Sequence, residues 1–465
     1  MATYLFSHIA TVLAAIASFV MVTGRAGSRR TSQSMLAWLL AVIFVPFIAI
    51  PLFLLLGARK FPRRAKGPAE DAARAGEVDD DAVSSSSIAN VLRSSGVAPP
   101  REGCSFELLP TGEIAYARFL ELIANAERTI DLTMFILGHD TTGHAVVDAL
   151  AARAAKGVSV RVILDAVGSS RSMRHAAATL GAVGGEVRSF MPFTHSPIRG
   201  RTNLRSHRKL AIFDGHHVFA GGMNLANEYM GPTPPTTGRP RWRDVAAVTR
   251  GSVAADARAL FESDWGFCGG ARRKGGETED AAVRAAVGDE LVQLVPSGPD
   301  LVTDTVYDLF LTGIFAAKER IALVTPYYVP DDQLQHAVVL AARRGVRVDV
   351  IVPTVSNHLL ADVARRSLLR ELAPAGVNIR YYPHGMVHAK AMVIDDAFAY
   401  VGSPNFDMRS LFLNYENALC AYSPKAIAEI RSFVDGLMAE CDDVGPPGGE
   451  HRIREQLARF LAPEL

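Results

Sequence analysis

His207, Lys209, Asp214, Gly221, Gly222 and Asn224 recur as His388, Lys390, Asp395, Gly402, Ser403 and Asn405, each pair 181 residues apart. A single H-x-K-x₄-D is a weak signal, because three residues in a short window coincide by accident. Two copies with one spacing to a Gly and an Asn are a strong signal. Residues two apart in an extended strand point to the same face, so each His presents its imidazole beside the ammonium of its Lys. Asp214 and Asp395 stand an odd number of residues from their His. That leaves open both a catalytic role and a bracing role at the strand-ending turn. The runs HVFAGGMN and FAYVGSPN read as returning strands that bring Asn224 and Asn405 back beside the histidines.

Two such faces meeting across a pseudo-twofold axis put two His, two Lys and two Asn around one cavity. That set suits a phosphodiester. Lys and Asn donors stabilise the charge that develops on the non-bridging oxygens. One imidazole attacks phosphorus, and the other protonates the leaving alkoxide and later deprotonates an incoming hydroxyl. Imidazole titrates close to neutrality and so can serve both purposes. Metal ligation is the competing use of His. The remaining histidines show no H-E-x-x-H spacing, and carboxylates do not cluster with the motifs, so no metal or cofactor is expected. His216, His217 and His384 read as loop or turn residues.

Positioning these groups falls to a duplicated α/β unit. Thr129–Ile136 reads as a strand, Ala145–Lys156 as a helix stopped by Gly157, and Val158–Asp165 as a further strand. The order repeats in Ile321–Tyr328, Gln333–Arg344, Gly345 and Val346–Val352. Strands alternating with helices predict a largely parallel or mixed sheet covered by helices. The expected bodies are a first lobe over 104–268 and a second over 291–465, joined by a loose Gly- and charge-rich linker over 269–290.

Ahead of the body, Thr3–Gly24 and Met35–Gly57 are apolar runs about as long as the ~20 residues that cross a bilayer as a helix. Pro46 and Pro51 predict a kink in the second, and Trp38 suits an interface. A cleaved signal peptide is the alternative for the first run, but it lacks a basic leading region. The expected arrangement is therefore a two-helix membrane hairpin over 1–60 and a flexible polar linker over 61–103. Arg59, Lys60, Arg63, Arg64 and Lys66 flank the body side, which points to a multi-pass anchor in the cytoplasmic membrane with the body on the inner side. The same flank suits anionic lipid. Lys plus Arg number 49 against 48 Asp plus Glu, without the basic excess of a nucleic-acid binder. Four scattered cysteines form no C-x-x-C pair and read as free thiols.

The chain resembles the phospholipase D superfamily, and within it the bacterial cardiolipin synthases. The resemblance rests on SHRKLAIFDGHHVFAGGMNLANEY, WRD, TPYYVP, NHLLADVARRSLLRELAPAGV, HAKAMVIDDAFAYVGSPNFDMRS and NYE, in that order, with the two N-terminal apolar runs before them. It implies two duplicated α/β lobes around one site that works through a phosphohistidine without metal. It also implies that His207 is the nucleophile and His388 the acid and then base, and that Glu416 of NYE orients an active-site His. Asp244 of WRD stands in the same place in the first half, although Gly231–Arg241 is inserted ahead of it. The expected partners are phosphatidylglycerol and cardiolipin in a membrane, with transfer between two phosphatidylglycerols as the reaction. Lipid hydrolysis is the alternative, and a nuclease on the same fold the remoter one.

Overall fold

In the computed structural model, the described residues are Leu13, 32–56, 86–192, 203–232, 240–273, 286–443, 445–449 and 452–460. Strands β1 (Arg101–Leu109), β2 (Thr129–Met134), β3 (Ser159–Asp165), β4 (Glu186–Phe190), β5 (Leu210–Phe213), β6 (His217–Gly221) and β7 (Ala246–Arg250) form the first half. The second half holds β8 (Glu290–Ser297), β9 (Arg320–Val324), β10 (Tyr328–Val329), β11 (Arg347–Pro353), β12 (Asn378–Tyr382), β13 (Ala391–Ile394), β14 (Phe398–Gly402), β15 (Phe406–Asp407) and β16 (Glu416–Ala421). All except β10 and β15, which pair with each other, join one 14-stranded sheet. Its order is β12-β11-β9-β13-β14-β16-β8-β1-β7-β6-β5-β2-β3-β4.

That order is a palindrome about the β8–β1 junction. β1 answers β8, β7 answers β16, and β5 answers β13, so the duplication read in the sequence is a twofold relation in the sheet. One continuous sheet runs through both expected lobes. Antiparallel β1–β8 pairing, irregular between Arg101 and Cys104, joins the halves edge to edge. It leaves neither half with an open central edge, which would otherwise be a template for aggregation.

The helices are α1 (Ser32–Phe44), α2 (Pro46–Leu56), α3 (Ser87–Ser94), α4 (Gly112–Asn125), α5 (Thr141–Ala154), α6 (Met173–Gly181) and α7 (Val253–Phe267). They continue with α8 (Thr305–Ala316), α9 (Asp332–Arg343), α10 (Leu359–Leu372), α11 (Met408–Phe412), α12 (Pro424–Ala439) and α13 (Arg452–Phe460). Helices α7 and α12 cover one face across the junction, and Phe261, Trp265, Ile430 and Val434 share one core there. On the other face, α4 to α6 cover the first half and α8 to α10 the second. Strands buried on both faces need uninterrupted apolar runs, which IALV in β9 and LAIF in β5 supply. Side chains of Asp140 and Asp331 cap α5 and α9 by accepting from the N–H of Gly143 and Leu334. Gly157 and Gly345 follow these helices at φ +91° and +92°, conformations that favour glycine.

The structure differs from expectation in two places. Residues from 86 onward, expected as linker, form α3, which buries Ile88, Ala89 and Leu92 against the second half. Its three buried positions fall on one helical face, and Ser86 caps it by accepting from Ala89 N. The expected span Met35–Gly57 is two helices of 13 and 11 residues broken at Val45. Pro46 has no N–H to donate back along α1 and instead opens α2. Among the described residues no helix is long and apolar enough to cross a membrane. The first apolar run lies outside the described residues apart from Leu13.

Candidate active site

Each histidine sits on an extended segment just before a strand, His207 ahead of β5 and His388 ahead of β13. Each segment pairs with backbone from the opposite half. His207 N donates to Tyr415 O (2.8 Å), and Tyr415 N to Arg205 O (2.9 Å). His388 N donates to Arg243 O (2.7 Å), and Arg243 N to Met386 O (2.8 Å). The next residues after Tyr415 and Arg243 are Glu416 and Asp244. The crossed ladders therefore bring each carboxylate to the histidine of the other half. His207 Nδ1 lies 2.9 Å from Glu416 Oε2 and 3.0 Å from Oε1. His388 Nδ1 lies 2.7 Å from Asp244 Oδ2.

A carboxylate can only accept, so each Nδ1 carries the proton and each Nε2 holds a lone pair when the ring is neutral. Burial keeps the rings neutral. It pulls His207 down to about 4 and His388 to about 3; neighbouring lysine charges add to the effect while the carboxylates oppose it. Burial also lowers Lys209 to about 7 and Lys390 to about 8. Burial pushes Glu416 and Asp244 upward, but the adjoining imidazoles and lysines outweigh it and hold both below the ordinary carboxylate range. Lysine charge from each half is felt at the other half's histidine, as one shared site requires.

Of the ten residues singled out in the sequence, His207, Lys209, Asn224, Asp244, His388, Lys390, Asn405 and Glu416 are all buried, with Asn405 beside Asp407. Lys209 Nζ donates to His207 O (2.8 Å). Lys390 Nζ donates to His388 O and lies 2.7 Å from His388 Nδ1 and 3.1 Å from His388 Nε2. Asn224 Oδ1 accepts from Ile136 N (3.1 Å). The buried Asn224 Nδ2 makes no hydrogen bond of good geometry among the described residues, although Tyr229 stands beside it.

Asp214 and Asp395 are the exceptions. They sit after β5 and β13, at the ends farthest from the histidines, with φ +51° and +50°. Asp214 accepts from the N–H groups of Glu127, Arg128 and Thr129, and Asp395 from those of Lys318, Glu319 and Arg320. Their candidacy as catalytic groups gives way to the bracing role. Asp214→Ala or Asp395→Ala is expected to cost roughly 2–3 kcal/mol by orphaning these donors. The activity of the folded protein should change by less than about threefold, since neither carboxylate reaches the site. Thermal unfolding and kcat measured on the same samples separate the two effects.

The pKa shifts set a pH dependence. As pH rises through about 7 to 8, Lys209 and Lys390 lose the charges that attract an anionic substrate. The free-enzyme kcat/KM should fall there, whereas a surface lysine would hold its proton to about 10.5. A profile flat to pH 9.5 would contradict this. Stability runs the other way. The unfolded chain binds more protons than the folded one between the lowered and ordinary lysine values, so stability rises with pH across that window.

Other residues complete the surroundings of these groups. Ser403 Oγ donates to Glu416 Oε2 (2.5 Å) and accepts from Asn417 N (2.9 Å). Its counterpart Gly222 sits where a Cβ would collide with Asp244 Oδ1. Arg208 is buried and donates to Asp264 Oδ2 (2.5 Å), Glu416 O (3.1 Å) and Ser297 O (3.1 Å), tying the halves together under the site. Phe135 meets His207 edge-on at 4.9 Å between ring centres, and Tyr229 meets His388 at 4.9 Å. The repeat had marked Gly222 and Ser403, and Trp242, whose ring lies 5.6 Å from that of His388, could have been suspected as a neighbour of Asp244 in WRD.

Comparison with known proteins identifies the family. A family model described as cardiolipin synthase, PLD-like domain, matches residues 119–265 and 310–438, which hold both motifs, Asp244 and Glu416. The chain is 29% identical to the major cardiolipin synthase of Bacillus subtilis, covering 94% of this chain and 95% of that one. It is 31% identical to a cardiolipin synthase of Geobacillus kaustophilus over 77% of this chain and 72% of that one. Among solved structures, phosphatidylserine synthase of Haemophilus influenzae superposes with a TM-score of 0.61 at 14% identity, covering 81% of this chain and 100% of that chain. That last likeness speaks for the fold alone. With the paired motifs, the crossed histidine–carboxylate pairs and these matches in agreement, the chain belongs to the cardiolipin synthase family of phospholipase D-like proteins.

Proposed function

We propose that this protein is a cardiolipin synthase, moving a phosphatidyl group from one phosphatidylglycerol to another and releasing glycerol. The observation that carries this reading is the crossed pairing of two buried, neutral imidazoles with carboxylates of opposite halves. In the first step His207 Nε2 attacks phosphorus and the bond to the headgroup glycerol breaks. The glycerol oxygen takes a proton from His388 Nε2. Substrate negative charge beside Asp244 favours the protonated form of His388, so the ring can carry that proton once lipid is bound. In the second step His388 accepts the proton of a hydroxyl on the second phosphatidylglycerol. That oxygen attacks phosphorus, and the bond to His207 breaks. One phosphodiester replaces another, so no nucleotide is consumed.

Assignment of His207 as nucleophile is supported by the different surroundings of the two rings. Lys390 Nζ lies 2.7 Å from His388 Nδ1 and 3.1 Å from its Nε2, whereas the hydrogen bonds found at the His207 ring run from Nδ1 to Glu416. The N-terminal apolar region serves as the membrane anchor, with the body on the cytoplasmic side. Exposed Phe44, Phe47 and Ile48 on the described helices and the basic flank from Arg59 to Lys66 support that reading. The near-balanced charge favours a lipid over a nucleic acid. Incubating the purified full chain with phosphatidylglycerol tests the proposal. Accumulating cardiolipin and glycerol is the expected result; phosphatidic acid as the dominant product would make it a hydrolase instead.

A further inference from the structure

Strand directions fix which loops share an edge with the site. Val324 pairs with Ala391 and Ser297 with Glu416, so β9 and β8 end at the edge from which His388 and Glu416 approach. Strand β11 runs parallel to β9 and ends there too. In the first half, Thr133 pairs with Leu210 and Leu109 with Ala246, so β2 and β1 end at the same edge, as does β3, parallel to β2.

Among the described residues, the large apolar side chains left exposed on the body are not scattered evenly. Outside α1, α2 and α13, six of those described lie on segments leaving this edge. Ile114 is in the first turn of α4 after β1, Val167 follows β3, and Val302 follows β8. Val355, Leu359 and Leu360 follow β11. Val302 is 86% exposed, Leu359 77% and Val355 70%. Val287 and Phe315, just before β8 and β9, are the two on the opposite edge. The loop after β11 is also continuous with the site. Tyr327 donates its hydroxyl to Asn357 (2.5 Å) and meets the His358 ring, and it stands within electrostatic reach of Tyr229, which packs on His388. Arg171 and Arg174 are exposed on the segment that carries Val167, a charge suited to anionic headgroups.

Resting on the lipid-transfer reading above, we propose that this edge is the face the catalytic body lays on the bilayer, with the apolar loop tips entering the interfacial layer. Single exposed apolar residues need no explanation, but a set gathered around one site does. The occupant is a membrane rather than a protein because the buried histidines must meet a phosphate that sits at headgroup depth. Reaching it without docking would draw two acyl chains into water. Docking by exposed apolar side chains beside basic ones avoids that cost.

The test uses full-length protein carrying Leu359→Trp, reconstituted in phosphatidylglycerol–phosphatidylcholine vesicles whose acyl chains are brominated near the headgroup. The added emission should be blue-shifted and quenched relative to unbrominated vesicles; unshifted, unquenched emission overturns the proposal. A second variant, Val355→Ser/Leu359→Ser/Leu360→Ser, should lose about tenfold or more of its turnover on vesicles. On a short-chain, monomeric phosphatidylglycerol it should stay within about twofold of the parent. Unchanged vesicle turnover, or an equal loss on both substrates, overturns the docking face. Quenching in the Leu359→Trp protein, together with a parent that makes no cardiolipin from either lipid, sinks the transfer reading and leaves the docking face standing.

Discussion

Replacing either His207 or His388 by Ala is expected to lower turnover by roughly 10⁴-fold or more, with neither half retaining independent activity. The reason is geometric. His207 is oriented by Glu416 of the other half, and His388 by Asp244 of the other half. Neither half contains a complete histidine–carboxylate pair, so neither is a smaller working enzyme. The two losses should also be far from additive, because the residues act as one unit. Cardiolipin formation under single-turnover conditions, compared for the two single variants and the double variant, measures this. Retention of activity within tenfold by either single variant would mean that the halves work separately.

The second large effect concerns the carboxylates. Glu416→Gln and Asp244→Asn should each cost roughly 10³-fold, because a neutral amide no longer fixes the proton on Nδ1 or supports the charge that forms on the ring. The step affected should differ. Glu416→Gln weakens the nucleophile, so its defect persists with every leaving group. Asp244→Asn weakens the acid, so its first-step defect should shrink with a phosphatidyl ester of 4-nitrophenol, whose departure needs no proton. Equal defects on glycerol and nitrophenol esters for both variants would contradict the division of labour.

Much of this was legible in the sequence because a duplicated motif reports on itself. The shared spacing of His207 and His388 to their Lys and Asn partners identified the chemical groups, and the periodicity of 129–165 and 321–352 identified the α/β unit around them. The doubt over Asp214 and Asp395 was also readable from strand parity, and both indeed accept from backbone N–H groups at turns. What the sequence could not carry was pairing across halves. Nothing in NYE or WRD says which histidine each acid serves, because that follows from the backbone ladders at Tyr415 and Arg243. The joining of both lobes in one sheet depends likewise on β1 meeting β8, a contact between strands nearly 190 residues apart. Helix α3 was hidden by its polar surroundings. Only three buried residues on one face mark it, and their partners lie in the second half. Arg208 carried no reading of its own and is a buried tie between halves, because Asp264 neutralises it.

The most direct measurement is to mix the protein with the 4-nitrophenyl ester of phosphatidic acid, with no lipid hydroxyl to accept transfer, then quench in alkali and map the modified peptide. The account predicts one burst of nitrophenol per active site and a phosphatidyl group on His207. Adding phosphatidylglycerol before the quench should discharge that adduct as cardiolipin. An adduct on His388, or cardiolipin formed while His207 stays unmodified throughout, would contradict it.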